Sequence, residues 1–307
     1  MTMTDQEQPG RADTAAEVVW AYLAKQAEVI DQYADDVRAD GPDAVHKSRV
    51  AARRSRSILK IYRSVLDKRS ARQLESGLKW FGEKLGAPRD AEVLRDYLID
   101  LVGELDGDSL VGPVAERLPA DLEAEHARAH AALVEALDTD RYREVRGLFD
   151  ELVATRPSSE LGERPATEVL PGLLDASVER ARAVRAKAGG DLQVLEPWHD
   201  VRKAAKAVRY CAEALVDTFG DAAAQIAKRW EAVTESLGSM QDSVVGEHVL
   251  AQRAWAAELA GEPTDTYLTL IGLELARRKD ALERGIEAVD SALAAGVDLS
   301  PAGDAAN

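Results

Sequence analysis

Seven basic side chains and no acidic one lie between Ala44 and Leu66, in a chain whose formal net charge is −16. Arginine offers phosphate oxygens a forked pair of donors, and lysine adds a flexible point charge. The run opens with His46 and continues with Lys47, Arg49, Arg53, Arg54, Arg56, Lys60 and Arg63. Positive charge concentrated in one segment of an acidic chain predicts a binding site for an anion.

A second, weaker basic run begins at His199, 153 positions after His46. On a helical wheel both runs place most of their cations on one face and apolar side chains opposite. We call these faces the first stripe (His46, Arg49, Arg53, Arg56, Lys60 and Arg63) and the second stripe (His199, Arg202, Lys203, Lys206 and Arg209). The first stripe spans about 26 Å at 1.5 Å per residue, so its predicted ligand is an extended polyanion.

Two interpretations of the stripes stay open, because like charges three and four residues apart on a helix repel one another. Either carboxylates of neighbouring helices neutralise the stripes, or an extended anion lies along them. The sequence places few carboxylates near the stripes, apart from Asp200 and Glu213. The stripe histidines are then either structural or donors to the anion, since the surrounding cations would repel a metal ion. His126 and His130, four residues apart, are interpreted as part of a solvated face.

Composition limits the class of protein. With 46% hydrophobic and 31% charged residues, the 307-residue chain is expected to fold and to be soluble. A single cysteine, Cys211, excludes an internal disulfide and favours a reducing compartment, so the expected location is the cytoplasm. No membrane-spanning or secretion segment is predicted. Net acidity disfavours nucleic acid and membranes as partners, and Tyr62 and Tyr210 supply few aromatic rings for stacking bases.

Apolar residues at three- and four-residue spacing predict helices along the whole chain, and no strand pattern competes with them. The predicted helices cover residues 14–39, 43–67, 69–85, 89–105, 114–138, 140–155, 167–188, 195–219, 221–237, 241–260 and 264–294. Two prolines, a glycine and paired serines predict a loop near the middle. The predicted organisation is a flexible N-terminus (1–13), a first half (14–156), a linker (157–166), a second half (167–294) and a flexible C-terminus (295–307).

The halves share a second signature besides the stripes. A Leu-Gly pair ends at Gly86 and again at Gly238, and an aspartate, Asp90 or Asp242, follows four residues later. We interpret each signature as a helix end followed by an acidic residue at the start of the next helix, where it would accept free backbone N–H groups. Two signatures repeated at nearly one offset predict internal duplication and an all-α fold of paired antiparallel four-helix bundles.

The segment from His46 to Ser57 resembles the first signature of the CHAD domain, the conserved histidine α-helical domain. The second signature of that family is similar to the set His199, Arg202, Lys206, Arg209, Tyr210 and Glu213. The Leu-Gly turns and the segment Asp140-Arg141-Tyr142 also match, so the resemblance covers about residues 14–290. It implies two pseudo-symmetric bundles with a basic groove between them. It also implies binding of inorganic polyphosphate, often at polyphosphate granules, without catalysis by the domain itself.

The resulting hypothesis is a binding protein with no catalytic residue, cofactor or metal. The expected polyphosphate-binding residues are His46, Arg49, Arg53, Arg56, Lys60, His199, Arg202, Lys203, Lys206 and Arg209, with Arg63, Arg89, Arg182 and Arg185 as a second tier. Two alternatives remain: a metal-dependent enzyme that processes polyphosphate, and an adaptor whose stripes dock an acidic protein partner. The sequence leaves the oligomeric state and the length of the bound chain open.

Overall fold

The computed structural model describes residues 13–107, 110–189 and 194–299, and this part of the chain is helical with no β-strand. Its helices are α1 (Ala15–Gln32), α2 (Ala34–Arg38), α3 (Ala44–Ile61), α4 (Lys68–Gly103), α5 (Val114–Leu137), α6 (Asp140–Thr155), α7 (Ala166–Ala188), α8 (Glu196–Glu213), α9 (Val216–Leu259) and α10 (Asp265–Ala295). The predicted all-α class is confirmed. Internal duplication stays a prediction from the sequence.

Side-chain caps fix the starts of two helices that pack on the basic helix α3. Thr14 and Glu17 form a reciprocal capping box at the start of α1, which satisfies two backbone N–H groups without an intrahelical partner. Asp67 accepts a hydrogen bond of 2.8 Å from the Ser70 backbone N–H at the start of α4. These caps favour a defined starting residue for α1 and for α4, two of the helices that pack on α3.

Two long helical hairpins, α4–α5 and α9–α10, form the frame of the molecule. The basic helix α3 packs on α4, and the second basic helix, α8, packs on α9. The two basic helices also contact each other, and Tyr62 Oη, just past α3, donates to the backbone oxygen of Cys211 on α8 at 3.0 Å. Each basic helix therefore rests on one long hairpin and meets the other.

The main hydrophobic core contains buried side chains from both predicted halves, including Trp20, Trp198 and Trp230. A second, smaller core lies where the far ends of the hairpins meet: Leu98 of α4, Leu118 of α5, Leu250 of α9 and Leu270 of α10 are buried there, with neighbours. Because apolar burial is the dominant favourable term in folding, the halves are held together at both places. The apolar faces of the two basic helices belong to the main core.

Two predicted helix breaks are wrong. Helix α4 continues through Gly86 and Pro88, and α9 continues through Gly238. A proline inside a helix loses one hydrogen bond and crowds the preceding turn, but Pro88 is buried and its packing outweighs that cost. The boundary predicted near Gly220 is confirmed, since its φ of 56° interrupts the helical backbone.

The predicted solvated face at His126 and His130 is also wrong. His126 is 4% exposed, with Nδ1 3.3 Å from Pro88 O and Nε2 2.9 Å from Asp40 Oδ2. His130 Nε2 lies 2.7 Å from Val37 O. The pair therefore fastens α5 to α4, to α2 and to the α2–α3 connection.

The predicted flexible termini fall mostly on residues 1–12 and 300–307, which lie outside the described residues. After the end of α10, Val297 and Leu299 pack against the main core. None of the helices in the described part of the chain combines the length and the apolar character needed to cross a membrane.

Candidate anion-binding cleft

Helices α3, α4, α8 and α9 enclose an open cleft of about 610 Å³, which we call the central cleft. Its cationic lining comes from three of these helices and consists of His46, Arg49 and Arg53 on α3, Arg89 on α4, and Arg202, Lys206 and Arg209 on α8. The two stripes, distant in sequence, therefore contribute to one surface. The central residues of both stripes therefore line one cleft, as the helical wheels predicted.

The repeated Leu-Gly pairs lie beside two arginines of the cleft, although they do not end helices. A Cβ atom at Gly238 would lie 3.3 Å from Arg202 Nη2, and one at Gly86 would lie 4.0 Å from Arg49 Nη2. At Gly238 the absence of a side chain therefore leaves room for the Arg202 guanidinium against the backbone of α9. At Gly86 the added atom would make only an ordinary van der Waals contact with Arg49, so the close approach is confined to Gly238.

Three cations of the cleft have no carboxylate within 4 Å among the residues that the structure describes. They are Arg53, Arg202 and Lys206. The Nε atoms of Arg53 and Arg202 are in addition buried without a hydrogen-bond partner there. A buried donor without a partner costs free energy, and more so when it is charged. The cleft is therefore a place where positive charge exceeds what the protein itself compensates.

The titration behaviour of these groups reflects that excess. Burial, followed by repulsion from Arg53, Arg202 and Arg49, lowers the pKa of Lys206 to about 7. Burial also lowers the pKa of Arg202, against the attraction of Asp242. Above neutral pH such a lysine is mainly uncharged, and an anion that approaches it favours the charged form.

Other cations of the cleft do have carboxylate partners, so the expectation that few carboxylates lie near the stripes is wrong. Arg49 Nη1 donates to Asp90 Oδ1 at 2.7 Å, and Arg209 Nε donates to Glu213 Oε1 at 2.8 Å. Asp90 thus pairs with a stripe arginine instead of starting a helix. Asp242 also lines the cleft, and burial raises its pKa while Arg202 and Lys206 lower it.

Tyr210 organises the arginines at one end of the cleft. Its ring centroid lies 5.8 Å from the Cζ of Arg53, 5.7 Å from that of Arg54 and 6.0 Å from that of Arg209. The face of an aromatic ring attracts guanidinium groups, so one ring holds three mutually repelling cations together. Arg54 is also bound by Glu213, at 2.9 Å from Nε to Oε2.

The two stripe histidines have different surroundings. His46 lines the central cleft, where burial and then Arg89 lower its pKa. His199 Nδ1 lies 3.1 Å from Gln241 Oε1, and Gln241 lines the cleft. His199 therefore contacts the wall of the cleft, whereas His46 faces its interior.

The remaining predicted residues lie outside the central cleft. Arg56 and Lys60 both approach Glu75 of α4, at 3.6 and 3.4 Å, so a neighbouring carboxylate compensates this end of the first stripe. Lys203 pairs with Asp200 at 3.2 Å and lines a separate cleft between α7 and α8.

The second-tier residues divide in the same way. Arg89 lies in the cleft and pairs with Glu92 at 2.9 Å, whereas Arg63 is exposed outside it. Arg182 donates to Leu293 O at 3.0 Å, and Arg185 binds a carboxylate of α10. Both therefore fasten α7 to α10.

Several residues that line the cleft are not predicted from the sequence, including Tyr97, Thr234, Glu235 and Gln241. None of them belongs to a basic run, so the charge pattern does not indicate them. The one signal in the sequence for lining residues outside the basic runs is the pair Asp90 and Asp242, which recur at nearly the same offset as the stripes. Within the described ranges, no cluster of three or more His, Cys, Asp or Glu side chains could hold a metal ion. The arrangement is suited to binding an anion through charge-assisted hydrogen bonds.

Comparison with known sequences gives one family and two close relatives. A model of the CHAD domain matches residues 21–251. The uncharacterized proteins Rv2226 and MT2285, from two strains of Mycobacterium tuberculosis, are each 33% identical to this chain over 293 residues. The alignments cover 94% of this chain but 54% of each relative, so the chain spans about half the length of these curated relatives.

Two solved structures share the fold. PptA from Streptomyces chartreusis superposes with a TM-score of 0.73 at 20% identity, covering 91% of this chain and 99% of that one. The CHAD domain from the plant Ricinus communis gives a TM-score of 0.70 at 22% identity, with 94% and 98% coverage. Together with the family model, which spans most of the chain, these findings show that the protein belongs to the CHAD domain family.

Proposed function

We propose that the protein binds inorganic polyphosphate in the central cleft and does not alter it chemically. Membership of the CHAD family supports a role that involves polyphosphate. The observation that carries the proposal is the set of Arg53, Arg202 and Lys206, three partly buried cations with no carboxylate within 4 Å in the described residues. Phosphate oxygens would supply the missing partners, and a linear polymer of phosphates would supply many of them in a row.

The shape of the basic surface favours a polymer over a single phosphate. Arg53 lines the central cleft and two adjoining clefts of about 530 and 460 Å³. One adjoining cleft extends towards Lys25 and Lys47, and the other extends towards Arg56. A thin, flexible chain could occupy the centre and continue into either neighbour, whereas a compact anion would fill the centre alone.

Charge reversal inside and outside the cleft tests the proposal. Arg53→Glu and Lys206→Glu should each lower the affinity for polyphosphate at least 10-fold, because each replaces an uncompensated cation by an anion. Lys60→Glu and Lys203→Glu are matched controls on α3 and α8, outside the central cleft. Binding of polyphosphates of defined length is measured by calorimetry, with circular dichroism to verify helicity. Equal losses at all four positions would contradict a site in the cleft.

Ligand class and salt dependence give a second, independent test. Polyphosphate should bind more tightly than DNA, RNA or ATP at equal phosphate concentration, since the acidic exterior repels large polyanions and the cleft admits a thin chain. Its affinity should fall steeply as salt rises, because binding releases counterions. Affinity independent of salt would contradict the electrostatic mechanism.

One observation favours the enzymatic alternative, namely that Asp90 and Asp242 line the same cleft as the cations. Phosphoryl-transfer enzymes use carboxylates beside cations to hold metal ions. Incubation of polyphosphate with the protein and Mg²⁺ or Mn²⁺, followed by analysis of chain length, distinguishes the two functions. We expect the polymer to remain unchanged, and shortening would establish an enzyme. For the adaptor alternative, an acidic protein partner would compete with polyphosphate for the cleft.

A further inference from the structure

Lys206 is one of the charged groups that line the central cleft. The other charged groups and the histidine of this lining come from all four helices and are His46, Arg49 and Arg53 on α3, Arg89 and Asp90 on α4, Arg202 and Arg209 on α8, and Glu235 and Asp242 on α9. None of these carboxylates lies within 4 Å of Lys206 Nζ, and Asp90 accepts a hydrogen bond from Arg49. The lysine is thus partly buried among cations that lack sufficient compensation.

Lysine is the cation of this cluster best able to relieve the repulsion at neutral pH. Arginine does not release its proton in proteins, so Arg49, Arg53 and Arg202 remain charged. Burial and these three guanidiniums together bring the pKa of Lys206 to about 7, and the attraction of Asp242 is the smallest contribution. Above neutral pH the free protein therefore holds Lys206 mainly as the uncharged amine.

We propose that Lys206 couples anion binding to proton uptake, so that a polyphosphate chain enters the central cleft together with one proton. The proton passes from a buffer acid in the solvent to Lys206 Nζ, and the resulting ammonium group donates hydrogen bonds to phosphate oxygens. The uncharged amine cannot make the same charge-assisted bonds. This inference rests on the proposed binding of polyphosphate and adds its dependence on pH.

The expected dependence has a definite sign and range. A bound polyanion stabilises the ammonium form, so the pKa of Lys206 rises on binding and the complex holds one more proton than the free partners. Affinity should therefore fall by about 20-fold between pH 7.5 and pH 9 if a group with a pKa of about 7 must be protonated. Near pH 8.5 the titration of Lys206 is separated from that of His46, whose pKa is lowered, and from that of the carboxylates.

Calorimetry measures the proton directly. Tripolyphosphate and a longer polyphosphate of defined length are titrated into the full chain at pH 8.5, in several non-phosphate buffers with different ionisation enthalpies. The slope of binding enthalpy against buffer enthalpy should correspond to uptake of about one proton. Lys206→Arg, which keeps the charge but does not titrate, should lower the measured uptake by about one proton relative to the wild type, whatever protons the terminal phosphates of the ligand release. Lys203→Met, one turn away on α8 and outside the central cleft, should leave it unchanged.

A second measurement keeps the inference falsifiable if Lys206→Arg does not fold. Side-chain NMR of labelled lysine in the wild-type protein should show one residue titrating near pH 7 without ligand and above pH 9 with tripolyphosphate, and its signal should vanish in Lys206→Met. Tight binding without proton uptake, or titration of Lys206 near pH 10 in the free protein, would overturn this inference and leave polyphosphate binding intact. Absence of binding by the wild-type protein at every pH would overturn the proposed function as well.

Discussion

Lys206 and Arg53 show why residue types alone do not define the site. A helical wheel places Arg53, Arg56 and Lys60 on one stripe and treats them as equivalent. In the folded protein Glu75 of α4 approaches Arg56 and Lys60, while Arg53 faces the cleft without a carboxylate within 4 Å among the described residues. The stripes indicated which cations line the centre of the cleft, and that these cations bind an anion stays a prediction. The sequence could not predict which cations are compensated, since that depends on neighbouring helices.

Replacement of Lys206 should separate stability from binding. The pKa of this lysine falls from 10.5 to about 7 on folding, so the unfolded chain binds more protons between about pH 7 and pH 10. The contribution of Lys206 to stability is therefore most unfavourable below pH 7 and diminishes as pH rises through that range. Lys206→Met should raise the free energy of unfolding at pH 6 by about 1–3 kcal/mol while weakening polyphosphate binding.

Urea denaturation at pH 6 and pH 9 measures this effect, and the gain from Lys206→Met should be smaller at pH 9. The corresponding change in Lys203, an exposed lysine on the same helix, should shift stability by less than about 0.5 kcal/mol at both values. A destabilised Lys206→Met protein at pH 6 would mean that the lysine stem contributes more by packing than its charge costs.

At the scale of elements, the spacing of apolar residues predicted the all-α class but not that α4 and α9 continue through their Leu-Gly pairs. Gly86, Pro88 and Gly238 are residues that commonly end helices, and the sequence therefore predicted breaks there. Both helices continue through these residues because packing outweighs local propensity. What Gly238 provides is room for Arg202, and that role depends on helices brought together by folding.

Alanine at the two glycines should therefore have different effects. In Gly238→Ala the new Cβ would lie 3.3 Å from Arg202 Nη2 and displace the guanidinium, so affinity for polyphosphate should fall about three- to tenfold. In Gly86→Ala the nearest contact is 4.0 Å, and the gain in helix propensity should stabilise the protein by about 0.5–1 kcal/mol without loss of affinity. Calorimetric titration and thermal denaturation of both variants measure the difference, and equal affinities would contradict a positioning role for Gly238.

At the scale of the whole molecule, the cleft depends on contact between the two halves. Lining residues come from α3 and α4 in the first half and from α8 and α9 in the second. The buried core extends across the same boundary, and the hairpin tips form another shared core. The site thus exists only when the halves are assembled, and folding brings repelling cations together. An acidic exterior around this cleft keeps the positive potential local.

A polyanion that fills the cleft should therefore stabilise the entire fold. A ligand that binds only the folded state at 100 times its Kd adds about 2.7 kcal/mol, which for a chain of this size raises Tm by about 5 °C. Differential scanning calorimetry with polyphosphate at low salt should show this rise, and it should shrink as NaCl screens the contacts. Arg53→Glu should abolish most of the rise, whereas Lys60→Glu, at the compensated end of α3, should retain it. Binding without any rise in Tm would mean that the ligand contacts the unfolded chain equally well, and hence that its binding does not require the assembled cleft.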